Sequence, residues 1–247
     1  IQLLNLATMA VTNLQWAKDE VSAARWAKNV DVLAYLVGTA DDKRDGPWNV
    51  LHLASIHEGK PHITRFDPKG AESFPKGMRI AEDAPLDLSD DGVRVFFGIR
   101  LWEEKKRPEG KPDEKPGVEV WHWKDLDIMP LQKRREASER RRTHLATWNS
   151  TFGFQRIADD TARAASVLPD YERALVWDDL KYKSSTTDGL DFRDYYLHDL
   201  GTGERVKVLE KTQWGMAPSP KGRYLAYYGD KQWWVVEHAD EASDIAA

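Results

Sequence analysis

Polar turns and apolar runs alternate along this chain in two recurring forms. The first is a polar turn followed by an apolar strand. It appears as "SDDGVRVFFG" from Ser89 and "SPKGRYLAYYG" from Ser219, and without the glycine as "AKNVDVLAYLV" from Ala27 and "LPDYERALVWD" from Leu168. Leu33, Val95, Ala174 and Leu225 fall in equivalent places in these four stretches. Gly after Asp or Lys supplies the positive φ that a tight hairpin needs.

The second form is a strand ending in Leu, a turn, then an alternating strand. "YYLHDLGTGERVKVL" carries it in full, "IQLLNLATMAVTNL" has Met9 where Gly203 stands, and "NVLHLASIHEGKPHITRF" turns at Gly59. One copy of each form makes four strands: inner, second, third and outer. The pattern predicts two strands in residues 1–14, three four-stranded units, and three strands from Trp214 to His238.

These units are expected to be blades. The fold expected is all-β, an incomplete β-propeller of four-stranded antiparallel blades, about four to five in number, with one short helical insertion. Residues 1–247 are expected to form a single propeller domain or part of one, with half-blades at both ends. Equivalent positions lie further apart than the roughly 40–50 residues of compact four-stranded repeats, which places insertions near 67–85 and 102–148. "FDPKGAESFPKGMRIAEDAP" and "WEEKKRPEGKPDEKPG" read as loops too polar to fill a core. Residues 130–148 hold the best helical stretch, opened by Pro130 and supported by Glu136 and Arg140, and its end "THLATW" reads equally well as a strand. An open arc leaves a blade edge unpaired. Joining the two leading and three trailing strands into one blade would leave one strand surplus.

Composition narrows the function. Eleven Trp suit sheets that bury large rings, so most are expected in the core, Trp26, Trp177 and Trp233 among them. A net charge of -5 gives the whole molecule no reason to seek nucleic acid or an anionic membrane. With no Cys, disulfides, thiolate metal sites and a cysteine nucleophile are excluded, and the compartment stays open. No apolar run is long enough to cross a bilayer as a helix, and no charged-then-apolar leader opens the sequence. The chain starts at Ile1 inside an expected strand, which reads as a processed or truncated product.

"SDDGVRVFFG", "SPKGRYLAYYGDKQWWVVE" and above all "VEVWHWKDLDIMPLQKRREASERRRTHLATW" resemble the N-terminal β-propeller of prolyl oligopeptidase-type serine peptidases, in their bacterial, dipeptidyl-peptidase-like branch. The Trp-His-Trp-Lys-Asp stretch is the more specific part. The resemblance implies a non-catalytic propeller that gates and orients peptide substrates for a separate α/β-hydrolase domain, which is missing from this chain. It also allows a secreted or periplasmic location. A nucleophile elbow has the form G-x-S-x-G, and no such pentapeptide occurs here. No catalytic residue is therefore assigned, no binding residue is identified, and no cofactor or metal is expected.

Several residue groups offer sharper chemistry. Glu103 and Glu104 resemble the Glu pair that holds a substrate amino terminus in some dipeptidyl peptidases, but the surrounding motif differs and the flanking Lys105, Lys106 and Arg107 read as a solvated loop. His52, His57 and His62 are a nominal zinc set, yet Gly59 and Pro61 put a turn between them. "DDKRDG" at 41–46 approaches a calcium loop, with Lys43 at an oxygen-ligand place and His52 where a bidentate Glu belongs. "SDDG" is an incomplete Asp-box, and glycosidase chemistry would further need a carboxylate pair across a sugar. "KRREASERRR" from Lys133 to Arg142, with Trp148 beyond, is a nominal nucleic-acid patch that reads better as a solvated helix face or an inter-domain contact. Trp121 and Trp123 share one strand face, with His122 opposite. The alternative functions are a stand-alone propeller binding ligands over a central channel and, ranked below it, a propeller glycosidase.

Overall fold

The structure is a computed structural model that describes residues 1–14, 20–105, 129–183 and 191–237. The chain divides into two compact units, Ile1–Gln155 and Arg156–Ala247. In the first, β1 (Gln2–Leu4) and β2 (Val11–Asn13) form a hairpin. A four-stranded antiparallel sheet follows in chain order: β3 (Glu20–Trp26), β4 (Val32–Thr39), β5 (Trp48–His57) and β6 (Lys60–Phe66). The next sheet has a split inner strand, β7 (Met78–Ile80) and β8 (Asp87–Leu88), both paired to β9 (Val95–Leu101). Helix α1 (Met129–Arg140) precedes its outer strands β10 (His144–Asn149) and β11 (Gly153–Arg156).

The second unit holds the sheet β12 (Ala164–Val167), β13 (Arg173–Asp178), β14 (Arg193–Asp199) and β15 (Arg205–Thr212), then a three-stranded sheet of β16 (Met216–Pro218), β17 (Tyr224–Gly229) and β18 (Gln232–Glu237). The chain is all-β, an incomplete propeller of antiparallel four-stranded blades with one short α-helix.

The turns explain why the repeats fold alike. In the first form Gly92 N–H donates to the Ser89 carbonyl at 2.8 Å, and Gly222 N–H to that of Ser219 at 2.8 Å. Both glycines have positive φ, 70° and 73°. Of the two copies without glycine, the one from Leu168 puts Tyr171 at φ 57°, and Asp170 Oδ1 takes the N–H groups of Glu172 and Arg173. In the second form Asp199 Oδ1 accepts from Gly201 and Thr202 N–H, and Asn5 Oδ1 from Ala7 and Thr8 N–H. The closing residue is left-handed in each, Gly203 at 80° and Met9 at 57°. A third copy is "NSTFG": Asn149 Oδ1 accepts from Thr151 and Phe152 N–H, and Gly153 has φ 79°. These are side-chain-capped turns that fix the register of the strands they join.

Each sheet has two working faces, because alternate residues point to opposite sides. Leu33, Tyr35 and Val37 on β4 face the hairpin, packing with Ile1, Leu3 and Leu14. On the other side Ala34 and Leu36, with Leu51, Leu53 and Phe66, meet Val95, Phe97 and Ile99 of β9. Leu33 and Val95 occupy the same repeat place, so the same face points backward to the preceding sheet in both. The second unit repeats the rule: Leu225 of β17 packs on Leu175 and Tyr195, with Trp177 and Leu197 beside them. Within each unit, at these three junctions, the backward face of the later sheet covers the forward face of the earlier one.

Two expectations change. The 67–85 segment is not too polar for a core: Phe74, Met78, Ile80, Ala81 and Ala84 are buried in it, and it supplies the inner strand β7. Its charged and Pro residues hid an apolar set spaced for one side of an irregular loop. Trp26 and Trp233 are exposed, at 47% and 71%, while Trp177 is partly buried and Trp148 is in the core. Trp26 sits at the end of β3 beside the β3–β4 turn, and Trp233 on the forward face of β18.

Candidate functional site

In the first unit the polar residues that converge do so around Arg79, whose side chain is fully buried on β7. Its guanidinium donates to the Glu82 carboxylate, and Nε lies 3.8 Å from Asp45 Oδ1. Glu82 also accepts from Asn49 Nδ2 at 3.2 Å and lies 3.5 Å from Arg100 Nη2, and Arg100 Nη1 donates to Asp83 at 2.9 Å. Gly46 lies flat against this guanidinium: a Cβ there would fall 2.2 Å from Arg79 Nη2. A buried charge survives only when paired and hydrogen-bonded, which is what Glu82 and Asp45 do here.

Beside it, Trp102 Nε1 donates to the Gly46 carbonyl at 2.8 Å and Arg44 Nη1 to the Trp102 carbonyl at 2.8 Å. The Arg44 guanidinium lies over the Trp102 ring, and Trp48 packs against that ring at 5.1 Å. The segment after β9 thus pairs with the 41–46 loop: Asp45 N–H donates to the Glu103 carbonyl, Lys105 N–H to that of Lys43, and Arg44 bridges Glu104. Glu103 and Glu104 are exposed on this tied strand. Asp41 turns its carboxylate to Lys43 N–H and Asp45 faces Arg79, so "DDKRDG" is a clamped loop whose acids serve its own frame.

The second unit has its own buried acid. Asp194, fully buried on β14, accepts from the Tyr182 hydroxyl at 2.7 Å and Lys211 N–H at 2.9 Å, and pairs with Lys181 Nζ at 2.5 Å and Lys207 Nζ at 3.2 Å. Burial pushes its carboxyl up. Lys181, Lys211 N–H, Tyr182 and Lys207 outweigh that and hold Asp194 well below the ordinary carboxylate range. Glu210 joins both lysines from the solvent side.

The histidines separate. His52 is buried opposite Tyr35, their rings 5.1 Å apart, whereas His57 and His62 are exposed. Burial, with help from Arg65, lowers His52 to about 4, and burial raises the Tyr35 hydroxyl. Neither His52 Nδ1 nor the Tyr35 hydroxyl has a hydrogen-bond partner among the described residues. The basic stretch from Lys133 to Arg142 covers the end of α1 and the turn after it, and its residues 133–139 are exposed. Trp148, beyond that stretch, is packed in the core against Phe66 at 5.5 Å, so its ring has no face free to stack on a base. Trp121, His122 and Trp123 lie outside the described residues. The turn Trp26–Asp31 borders an open hollow lined by that turn alone.

Arg79, Gly46, Glu82 and Asp194 were missed in the sequence because their partners lie far along the chain. The sole local signal was the odd Arg in the short apolar stretch "MRIA".

No family profile matches the chain, and no curated protein does. Among solved structures it is similar to TolB from Acinetobacter baumannii, at 14% identity and TM-score 0.35, over 95% of this chain and 44% of that one. It is similar to the Pyrococcus horikoshii acylaminoacyl peptidase, at 11% identity and TM-score 0.38, over 89% of this chain and 32% of the other. A third likeness is to the tricorn protease, at 9% identity and TM-score 0.35, over 96% and 23%. The chain spans less than half the length of each of the three, and these values transfer no function.

Proposed function

We propose that this chain is the non-catalytic propeller portion of a prolyl oligopeptidase-type serine peptidase, gating and orienting peptide substrates for a separate α/β-hydrolase domain. The observation that carries the reading is that both charged clusters described are closed on themselves. Arg79 pairs with Glu82 and Asp45, and Asp194 with two lysines, two tyrosine hydroxyls and a backbone N–H. Such clusters hold loops in place and leave no activated nucleophile of their own. The sequence has no G-x-S-x-G, and its "VEVWHWKD" stretch carries the resemblance to the peptidase propeller.

The test has two arms. The purified chain alone should release no p-nitroaniline from aminoacyl or dipeptidyl p-nitroanilides. The reading frame beyond Ala247 should encode a hydrolase segment with G-x-S-x-G, and deleting the propeller from that longer protein should admit long peptides that the intact one refuses. Turnover by the chain alone overturns the non-catalytic reading. A stop codon close after Ala247 overturns the peptidase reading and favours a stand-alone scaffold.

A further inference from the structure

Helix α1 differs from the strands around it in what it buries. Residues 132–139, more than two turns of it, are all exposed, so this stretch gives no side to the core. A helix of 12 residues is marginal in water without packing. Opening these residues uncovers little apolar surface, so it costs little.

The same stretch is the densest in arginine. Arg134, Arg135, Arg140, Arg141 and Arg142 are five of the eighteen in the chain. Every other arginine of the described residues lies in a strand or directly before one, except Arg44, which is held by its bridge to Glu104 and its bond to the Trp102 carbonyl. The remaining one, Arg107, precedes Pro108, and a bond to a proline nitrogen resists endopeptidases. An endopeptidase takes its substrate as an extended segment, so it cuts where the chain opens without dismantling a sheet.

What lies behind the stretch makes a cut harmless to the fold. β9 and β10 are antiparallel neighbours, paired from Val95 with Trp148 to Ile99 with His144, and such neighbours need a link of only a few residues. Residues 102–143 stand between them instead. Val95, Phe97, Ile99, Ala146 and Trp148 share one core cluster, so each side of a break stays anchored by its own strand. Hydrolysis turns an insertion held at two ends into one held at each side by a single end.

We propose that residues 134–142, the end of α1 and the turn after it, are a processing site for an arginine-specific endopeptidase, an enzyme whose acidic pocket takes the guanidinium. Water adds across the peptide bond after an arginine: the C–N bond breaks, the arginine keeps the new carboxylate, and the next residue leaves with a free ammonium group. The two chains remain one folded unit. The reading goes beyond the gating role and holds whether or not a hydrolase domain follows.

A trace of arginine-specific endopeptidase added to the 247-residue chain at neutral pH should make its first cut after one of the five arginines, as placed by intact mass. The pieces should elute together from a sizing column, part in guanidinium, and keep the far-UV circular dichroism and melting of the uncut chain. Replacing all five by Gln, of similar helix propensity, should abolish the early cut and leave melting unchanged. Protein isolated from its own cells, digested after Asp and mapped by mass spectrometry, should contain peptides that end at one of these arginines. A first cut at any other arginine overturns the proposal, as do pieces that separate without denaturant, a glutamine variant cut as fast as the wild type, or native protein without such ends.

Discussion

Asp194→Ala removes the acceptor on which Lys181, Lys207, the Tyr182 and Tyr196 hydroxyls and the Lys211 N–H of the second unit converge. Breaking a buried ionic cluster from one side costs about 3–5 kcal/mol when the partner charge is left in the dark. Here the two lysine side chains are 42 and 41% exposed and regain water, so that figure is too high. What loses its acceptor is the Lys211 N–H, in a residue at φ 49°, with the Tyr182 and Tyr196 hydroxyls each giving up one contact. An unsatisfied buried polar group costs about 1–3 kcal/mol, and with the Tyr182 hydroxyl retaining its Lys181 contact the total is about 1–3 kcal/mol. Asp194→Asn keeps an oxygen for these donors while losing the charge, so it should retain most of that stability. Urea unfolding of the three proteins at pH 7, with the slope unchanged, reads the difference. The acid limb gives a second reading. Because the folded carboxyl titrates below the unfolded one, its stabilisation is complete above the unfolded value near 4 and disappears as the pH falls further, a slope that Asp194→Ala should lack. The reasoning is refuted if Ala and Asn shift the midpoint equally, since the charge alone would then carry the effect.

Three other outcomes follow from the geometry. His52 binds its proton near 4 when folded and near 6.5 when unfolded, so the unfolded state gains protons first and stability falls as pH drops through that window. The loss is up to about 3 kcal/mol, and His52→Phe should flatten part of a melting-temperature profile between pH 7 and 4. His198, lowered to about 4 by burial and by Arg205 against Asp199 and Asp159, adds to the slope in the same direction. Gly46→Ala should cost about 1–3 kcal/mol by urea unfolding, because its Cβ displaces the Arg79 guanidinium from Glu82; a neutral effect would show that Arg79 moves freely. Met9→Gly should raise stability by about 0.5–1 kcal/mol and Gly203→Ala lower it by a similar amount, both read by thermal unfolding, since the two positions share one left-handed turn geometry.

The strands were legible where turn chemistry is local. Asn5 to Met9 and Asp199 to Gly203 place a capping oxygen and a left-handed residue four positions apart, so two distant stretches with few shared letters read as one device. The third instance, Asn149 to Gly153, has the same spacing but follows "THLATW", which reads as either helix or strand. Burial was less legible than pairing. Arg79 is charged and fully buried, while Trp233 is aromatic and largely exposed. In both cases hydrophobicity is overruled by what lies opposite: Glu82 beside the arginine, and no described sheet over the tryptophan. A sequence reports what a side chain prefers, and a partner decides whether the preference is met.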